Sequence, residues 1–226
     1  RLPGGTMIRI AHNRIQLALH ELRQGTGTPL LMLHGLGEHT PATAPAVTSV
    51  WPGPVFGLDF TGHGDSTIPV GGGYTAEVLM ADADAALAHL GPSTILGRGI
   101  GGYIAVLIAG ARATLARGVI VEDGPGSAGG GPVPTSQVLS TPTHTASGPP
   151  DPFALFELSK DIRPPDYAAN FARLAVQHSG LDEPIAVAAK FRPAWLEAVV
   201  NEAGVVECSV RAALEMFSRA RPQTSR

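Results

Sequence analysis

The sequence predicts an α/β domain built on a mostly parallel sheet, and three stretches predict it. Leu30-Leu31-Met32-Leu33 is a continuous apolar run, as a strand covered on both faces requires. Thr75 to Leu90 carries Leu79, Ala83, Ala86, Leu87 and Leu90 on one helical stripe. Ser93 to Tyr103 reads as a strand passing through a tight turn, Gly97-Arg98-Gly99-Ile100-Gly101-Gly102, into a helix. With 226 residues, 44% of them apolar, the chain suits a single domain over 1–226 with a sizeable core.

In chain order, Met7 to Ile10 and Arg14 to Leu22 are strands joined by a turn at His12-Asn13. In the second, Ile15, Leu17 and Leu19 alternate with Gln16, Ala18 and His20, the period of a half-buried strand. Gly25 to Pro29 breaks the chain before Leu30 to Leu33, and Val55 to Leu58 is the next strand. Thr75 is a helix N-cap, and Glu77 lies in the first turn, where the helix dipole favours an anion. Gly91-Pro92 stops that helix. The helix from Ile100 to about Ala113 is small and apolar throughout, which predicts burial, and Gly118 to Asp123 is a further strand.

From Gly124 to Pro134, eight of eleven residues are Gly or Pro, a composition that predicts a mobile loop. Helices are expected over Phe153 to Ser159 and Asp166 to His178, the second with Phe171, Leu174 and Ala175 on one face. A strand over Pro184 to Ala189, a helix over Ala194 to Ala203, a strand over Val205 to Ser209 and a helix over Val210 to Ala220 complete the reading.

A net charge of −3 and the lack of any basic run argue against a nucleic-acid partner. No apolar run reaches the roughly 18 residues of a membrane span. The N-terminal Arg1-Leu2-Pro3-Gly4-Gly5 has no apolar core of a secretory signal, so a cytoplasmic location is the default expectation. The one cysteine, Cys208, excludes an internal disulfide and a cysteine metal cluster. No cofactor is called for, and oligomeric state is not legible.

Two motifs carry a resemblance. Leu30 to Gly37 reads Leu-Leu-Met-Leu-His-Gly-Leu-Gly, and Asp59-Phe60-Thr61-Gly62-His63-Gly64-Asp65-Ser66 fits D-x-x-G-x-G-x-S. With the glycine turn at 97–102, these resemble the α/β-hydrolase superfamily over about residues 7 to 123. The resemblance implies an α/β-hydrolase fold, with a helical lid inserted within 124–180. It places the nucleophile elbow at Gly97 to Gly101 and the oxyanion-hole donors at the amides of Leu36 and Ile100.

It also shows what is missing. The nucleophile position is Gly99, which has no side chain, and no histidine occurs in the final 48 residues, where the family places its base. Asp123 is the one candidate acid. His34 and His63 are expected to be structural and Asp59 a turn-capping residue. A serine hydrolase without its nucleophile loses about a millionfold in turnover. The expectation is a non-hydrolytic protein that binds a small molecule or a partner. Its pocket would be lined by Gly35, Leu36, His39, Arg98, Gly99, Ile100 and His144, with the oxyanion-hole amides receiving a carbonyl or carboxylate ligand. A water-filled remnant of the old site is the plain alternative.

Two other readings stay open. One is an enzyme that uses His39, His144 or Asp123 as acid or base. The other is an NAD- or FAD-binding Rossmann unit, because Gly97, Gly99 and Gly102 satisfy G-x-G-x-x-G and Glu122 lies where a ribose-binding acid would stand.

Overall fold

Apolar side chains on both faces of the central strands organise the chain, in a computed structural model that describes residues 6–134 and 148–220. Eight strands form one sheet: β1 (Met7–His12), β2 (Ile15–Arg23), β3 (Leu30–Leu33), β4 (Val55–Asp59), β5 (Ser93–Arg98), β6 (Ala116–Glu122), β7 (Ile185–Val187) and β8 (Val205–Glu207). Their spatial order is β1-β2-β4-β3-β5-β6-β7-β8. The β1–β2 and β2–β4 pairs are antiparallel and all others are parallel.

The helices are α1 (Ala76–Leu90), α2 (Ile100–Ala111), α3 (Pro152–Lys160), α4 (Pro165–His178), α5 (Ala194–Val200) and α6 (Val210–Arg219), with a short 3-10 turn over Ala46–Val50. Thr75 caps α1 by accepting a hydrogen bond from the Val78 amide, as the sequence predicts.

Successive side chains on a strand point to opposite faces, so a strand buried on both faces must be apolar at every position. Leu31, Leu33, Ile95, Val119 and Val121 pack with α1, α2, α4 and α5. Leu30, Leu96, Ile120 and Ala186 face the other way, against Trp51 and the α6 residues Ala213, Leu214 and Phe217. Among the described residues no helix is long and apolar enough to cross a membrane.

One expectation within 124–180, the apolar face of its second helix, is corrected. Helix α4 packs into the layer beside α2 and α5. It buries Ala168, Ala169, Ala172 and Ala175, while Leu174 is 38% exposed and Phe171 half-buried. Small residues win because the backbones nearly touch: a Cβ on Gly110 of α2 would lie 2.4 Å from the Phe171 carbonyl oxygen. Residues 124–131, expected as a mobile loop, make several hydrogen bonds to the rest of the fold. Gly130 N–H donates to the Asp161 carbonyl, and the Gly131 carbonyl accepts from Arg163 N–H.

Helix α3 is tied down as well. Asp151 caps it and accepts the Tyr74 hydroxyl at 2.6 Å, and Glu157 accepts the Gly73 and Tyr74 amides. Asp161, just past its end, accepts the Ala76 amide at the start of α1.

Candidate functional site

At the C-terminal end of β5 the chain turns into α2 through Gly99, whose φ of 56° and ψ of −120° belong to a backbone region that glycine occupies freely and other residues enter at a cost of about 1–3 kcal/mol. The turn is tight because neighbouring glycines let backbones meet. A Cβ on Gly97 would lie 2.2 Å from the Gly101 carbonyl oxygen, and one on Gly101 would lie 2.4 Å from that of Leu33. The sequence motif around 97–102 is thus accounted for by close packing of α2 on β3 and β5.

The amides of Leu36 and Ile100 converge, as the sequence predicts, but on an acceptor from the chain itself. Both donate to the carbonyl oxygen of Pro125, at 3.1 and 3.0 Å. Those lengths are what an oxyanion hole offers to a reacting oxygen. A Cβ on Gly35 would lie 2.7 Å from Pro125 Cδ, so Gly35 is also part of the seat. In this structure the two amides expected to receive a ligand carbonyl or carboxylate are taken by the chain's own carbonyl. The same carbonyl stands at the N-terminus of α2, where the Rossmann reading would place a pyrophosphate.

Two side chains hold the Pro125 segment in place. The Trp195 indole N–H donates to the Ser127 carbonyl at 2.8 Å. Arg163, only 1% exposed, directs Nη1 at the carbonyls of Gly126 and Ser127 and sets its guanidinium over the Tyr103 ring. Burial pushes this guanidinium down to about 10, and its Nε and Nη2 have no hydrogen-bond partner among the described residues. A buried cation that donates to two carbonyls and lies over a π-face ties the segment to α2. The sequence offered no direct signal for this role, since Arg163 stands in an unremarkable Ile-Arg-Pro-Pro run.

No protein-family model matches the chain, and no curated protein matches it in sequence. Solved structures do match its fold. The thioesterase domain from the curacin biosynthetic pathway aligns with 96% of this chain and 99% of its own at a TM-score of 0.59 and 16% identity. A membrane phospholipase A described as a bacterial virulence factor aligns with 96% of this chain and 82% of its own, at a TM-score of 0.50 and 16% identity. The chain has the α/β-hydrolase fold. It spans about two fifths of some other matches, 40% of a probable hydrolytic enzyme from Pseudomonas aeruginosa PAO1 (TM-score 0.44, 18% identity) and 43% of an E-2-(acetamidomethylene)succinate hydrolase (TM-score 0.43, 25% identity).

Within this α/β-hydrolase fold Asp123, His34 and His63 make hydrogen bonds to nearby backbone. Asp123 accepts the amides of Lys190 and Phe191 at 2.8 and 2.9 Å, so its carboxylate orders the loop after β7. His34 uses Nδ1 toward the Gly35 carbonyl and accepts the Phe60 amide on Nε2. Burial and the neighbouring His63 ring push it down to about 3, so it is neutral. His63 likewise accepts the Gly37 amide and faces the Thr61 carbonyl. His39 stands exposed at the rim of a cavity, and His144 lies outside the described residues.

Asp59 caps the turn after β4. Burial alone would raise its carboxyl, but His20 at 2.9 Å and the amides of Asp65 and Thr40 hold it well below the usual range. The sequence reading missed His20, which lies on the facing strand β2 with its side chain toward Asp59.

Beside the closed hole lies a cavity of about 620 Å3 on the sheet face opposite α2, over the C-terminal ends of β3, β5 and β6. Met32, Leu96, Pro41, Pro45 and Val47 give it apolar walls, and Glu38, Arg98 and Glu122 gather at its polar end. Arg98 is committed there. Its Nε lies 3.0 and 3.1 Å from the two Glu38 carboxylate oxygens, and its Nη1 donates to the Asp123 carbonyl at 2.6 Å.

Proposed function

We propose that the protein is a non-hydrolytic, small-molecule-binding protein of the α/β-hydrolase fold. The observation that carries this reading is the double hydrogen bond from Leu36 and Ile100 to the Pro125 carbonyl, beside an apex residue without a side chain. Acyl transfer on this scaffold needs a hydroxyl at the apex, a base to take its proton, and two donors that are free when charge develops on the substrate oxygen. Here Gly99 offers no hydroxyl and Asp123 orders a loop. No described histidine hydrogen-bonds to Asp123, and the donors already have an acceptor.

The space left for a ligand is the neighbouring cavity, whose size falls within the range of small-molecule sites, roughly 300–1,000 Å3. Closure of the hole from within supports a binding role over a weakened esterase, because an unused hole would simply hold water.

A panel of activated esters, read for both burst and steady state, tests the reading. Rates at the buffer background are expected for the native chain. Steady turnover well above background, lost on substitution at Gly99 or Arg98, would overturn it.

A further inference from the structure

The polar end of the 620 Å3 cavity carries two carboxylates, Glu38 and Glu122, and one guanidinium, Arg98, with the exposed His39 also on its lining. In the sheet register Met32 pairs with Leu96, and Arg98 pairs with Glu122. Side chains two apart share a face, so Leu96, Arg98 and Glu122 all line the same wall. The Arg98 guanidinium already serves Glu38 and the Asp123 carbonyl. The Asp123 carboxylate is held by the Lys190 and Phe191 amides. The Glu122 carboxylate, half-buried on the cavity wall, accepts no hydrogen bond from any described residue. Of the two cavity carboxylates, Glu38 is bonded by Arg98, while Glu122 makes no hydrogen bond among the described residues.

We infer that this cavity binds a ligand with an apolar body and a protonated amine, the amine facing Glu122 and the body lying on Met32 and Leu96. This deepens the small-molecule-binding reading and rests on it. An anionic ligand would meet the Glu122 and Glu38 carboxylates, with two of the three Arg98 nitrogens already bonded, whereas an ammonium supplies the donors that Glu122 lacks. The state of Glu122 agrees. Burial pushes its carboxyl up, Arg98 pulls it down, and Asp123 and Glu38 push it up again, so a second cation beside it would be stabilised.

Three probes of one shape, 4-phenylbutylamine, 4-phenylbutanol and 4-phenylbutyrate, test this on the full chain by methionine-methyl NMR and calorimetry. Met32 lines this cavity, and Met216 lines a separate cleft near α6, so their methyl signals distinguish the two places. The amine is expected to shift Met32 while leaving Met216 unmoved, and to bind about tenfold more tightly than the alcohol. Glu122→Gln should bring the amine down to the alcohol's affinity without changing the alcohol's, a contrast that a misfolded variant could not give.

Equal or tighter binding of the carboxylate, an amine preference that survives Glu122→Gln, or no Met32 shift with any probe would each overturn the inference. Ester turnover in the same preparation is scored separately. Carboxylate preference without turnover sinks the amine and leaves the non-hydrolytic reading standing, while turnover sinks that reading.

Discussion

A Cβ placed on Gly99 would lie 2.1 Å from the carbonyl oxygen of Pro125 and 2.6 Å from the carbonyl carbon of Gly124. The lack of a side chain at position 99 and the bonding of both amides to Pro125 are therefore one steric fact, since the loop occupies the room that a side chain there would need. Gly99→Ser is expected to yield no esterase activity. Both Gly99→Ala and Gly99→Ser should lose about 1–3 kcal/mol from the backbone region alone, and more from the overlap with residues 124–125. Urea denaturation midpoints and an activated-ester assay of the same samples check both outcomes.

Arg163 is expected to govern how firmly Pro125 is seated. Arg163→Met keeps much of the volume but leaves the Gly126 carbonyl without its donor, at a cost of about 1–3 kcal/mol. The specific readout is amide hydrogen exchange at Leu36 and Ile100. Their protection should fall in Arg163→Met, while amides in the middle of β5 change only with global stability. Unchanged protection at Ile100 in the variant would show that the segment is held without the guanidinium.

Asp82 gives a pH signature. Burial pushes its carboxyl up to about 7, against the hydrogen bonds from the Thr61 amide and hydroxyl, which pull it down. A carboxyl raised in the folded state binds its proton more tightly there than when unfolded. Its contribution to stability is therefore fully present below the unfolded value near 4 and is lost as pH rises toward 7. Relative to Asp82→Asn, the parent should weaken steadily from about pH 4 to pH 7 and then run level. Paired denaturation curves across that range measure the difference, and a constant offset would contradict the assignment.

The His20–Asp59 pair acts at both ends of the pH scale. His20 is raised by its hydrogen bond to Asp59, so its contribution is complete below about 6.5 and is lost as pH rises through the higher folded value. Asp59 is depressed, and its contribution disappears only as pH falls below the usual carboxylate range. Asp59→Asn sets an amide NH2 against donors from Thr40, Asp65 or His20, with an expected loss of roughly 1–3 kcal/mol at neutral pH. His20→Gln should lower stability at pH 6 more than at pH 9, as thermal melts at the two values would record.

Much of the fold was legible because the central strands must be apolar at every position and the helices carry their own caps. Thr75, Gly91-Pro92 and the apolar run of Leu30–Leu33 each announced an element that the structure contains. The amides of Leu36 and Ile100 were legible as a convergent pair, since the turn dictates their direction. What they bind was not. Glycine and proline at 124–134 report the freedom of that stretch, and say nothing of donors that reach it from Arg163 and Trp195, 36 to 68 residues away. The buried face of α4 was misread because hydrophobicity ranks Leu174 above Ala172, whereas closeness to Gly110 selects the smaller residue.

The internal acceptor at Pro125 also sets a direction on evolutionary change. A hydroxyl introduced at position 99 meets a filled site, and vacating that site alone yields an empty turn with nothing to attack a substrate. Under the non-hydrolytic reading, neither change alone would give acyl transfer. The seating of one proline carbonyl would then work as a ratchet, leaving descendants of this chain to elaborate whatever the adjacent cavity does.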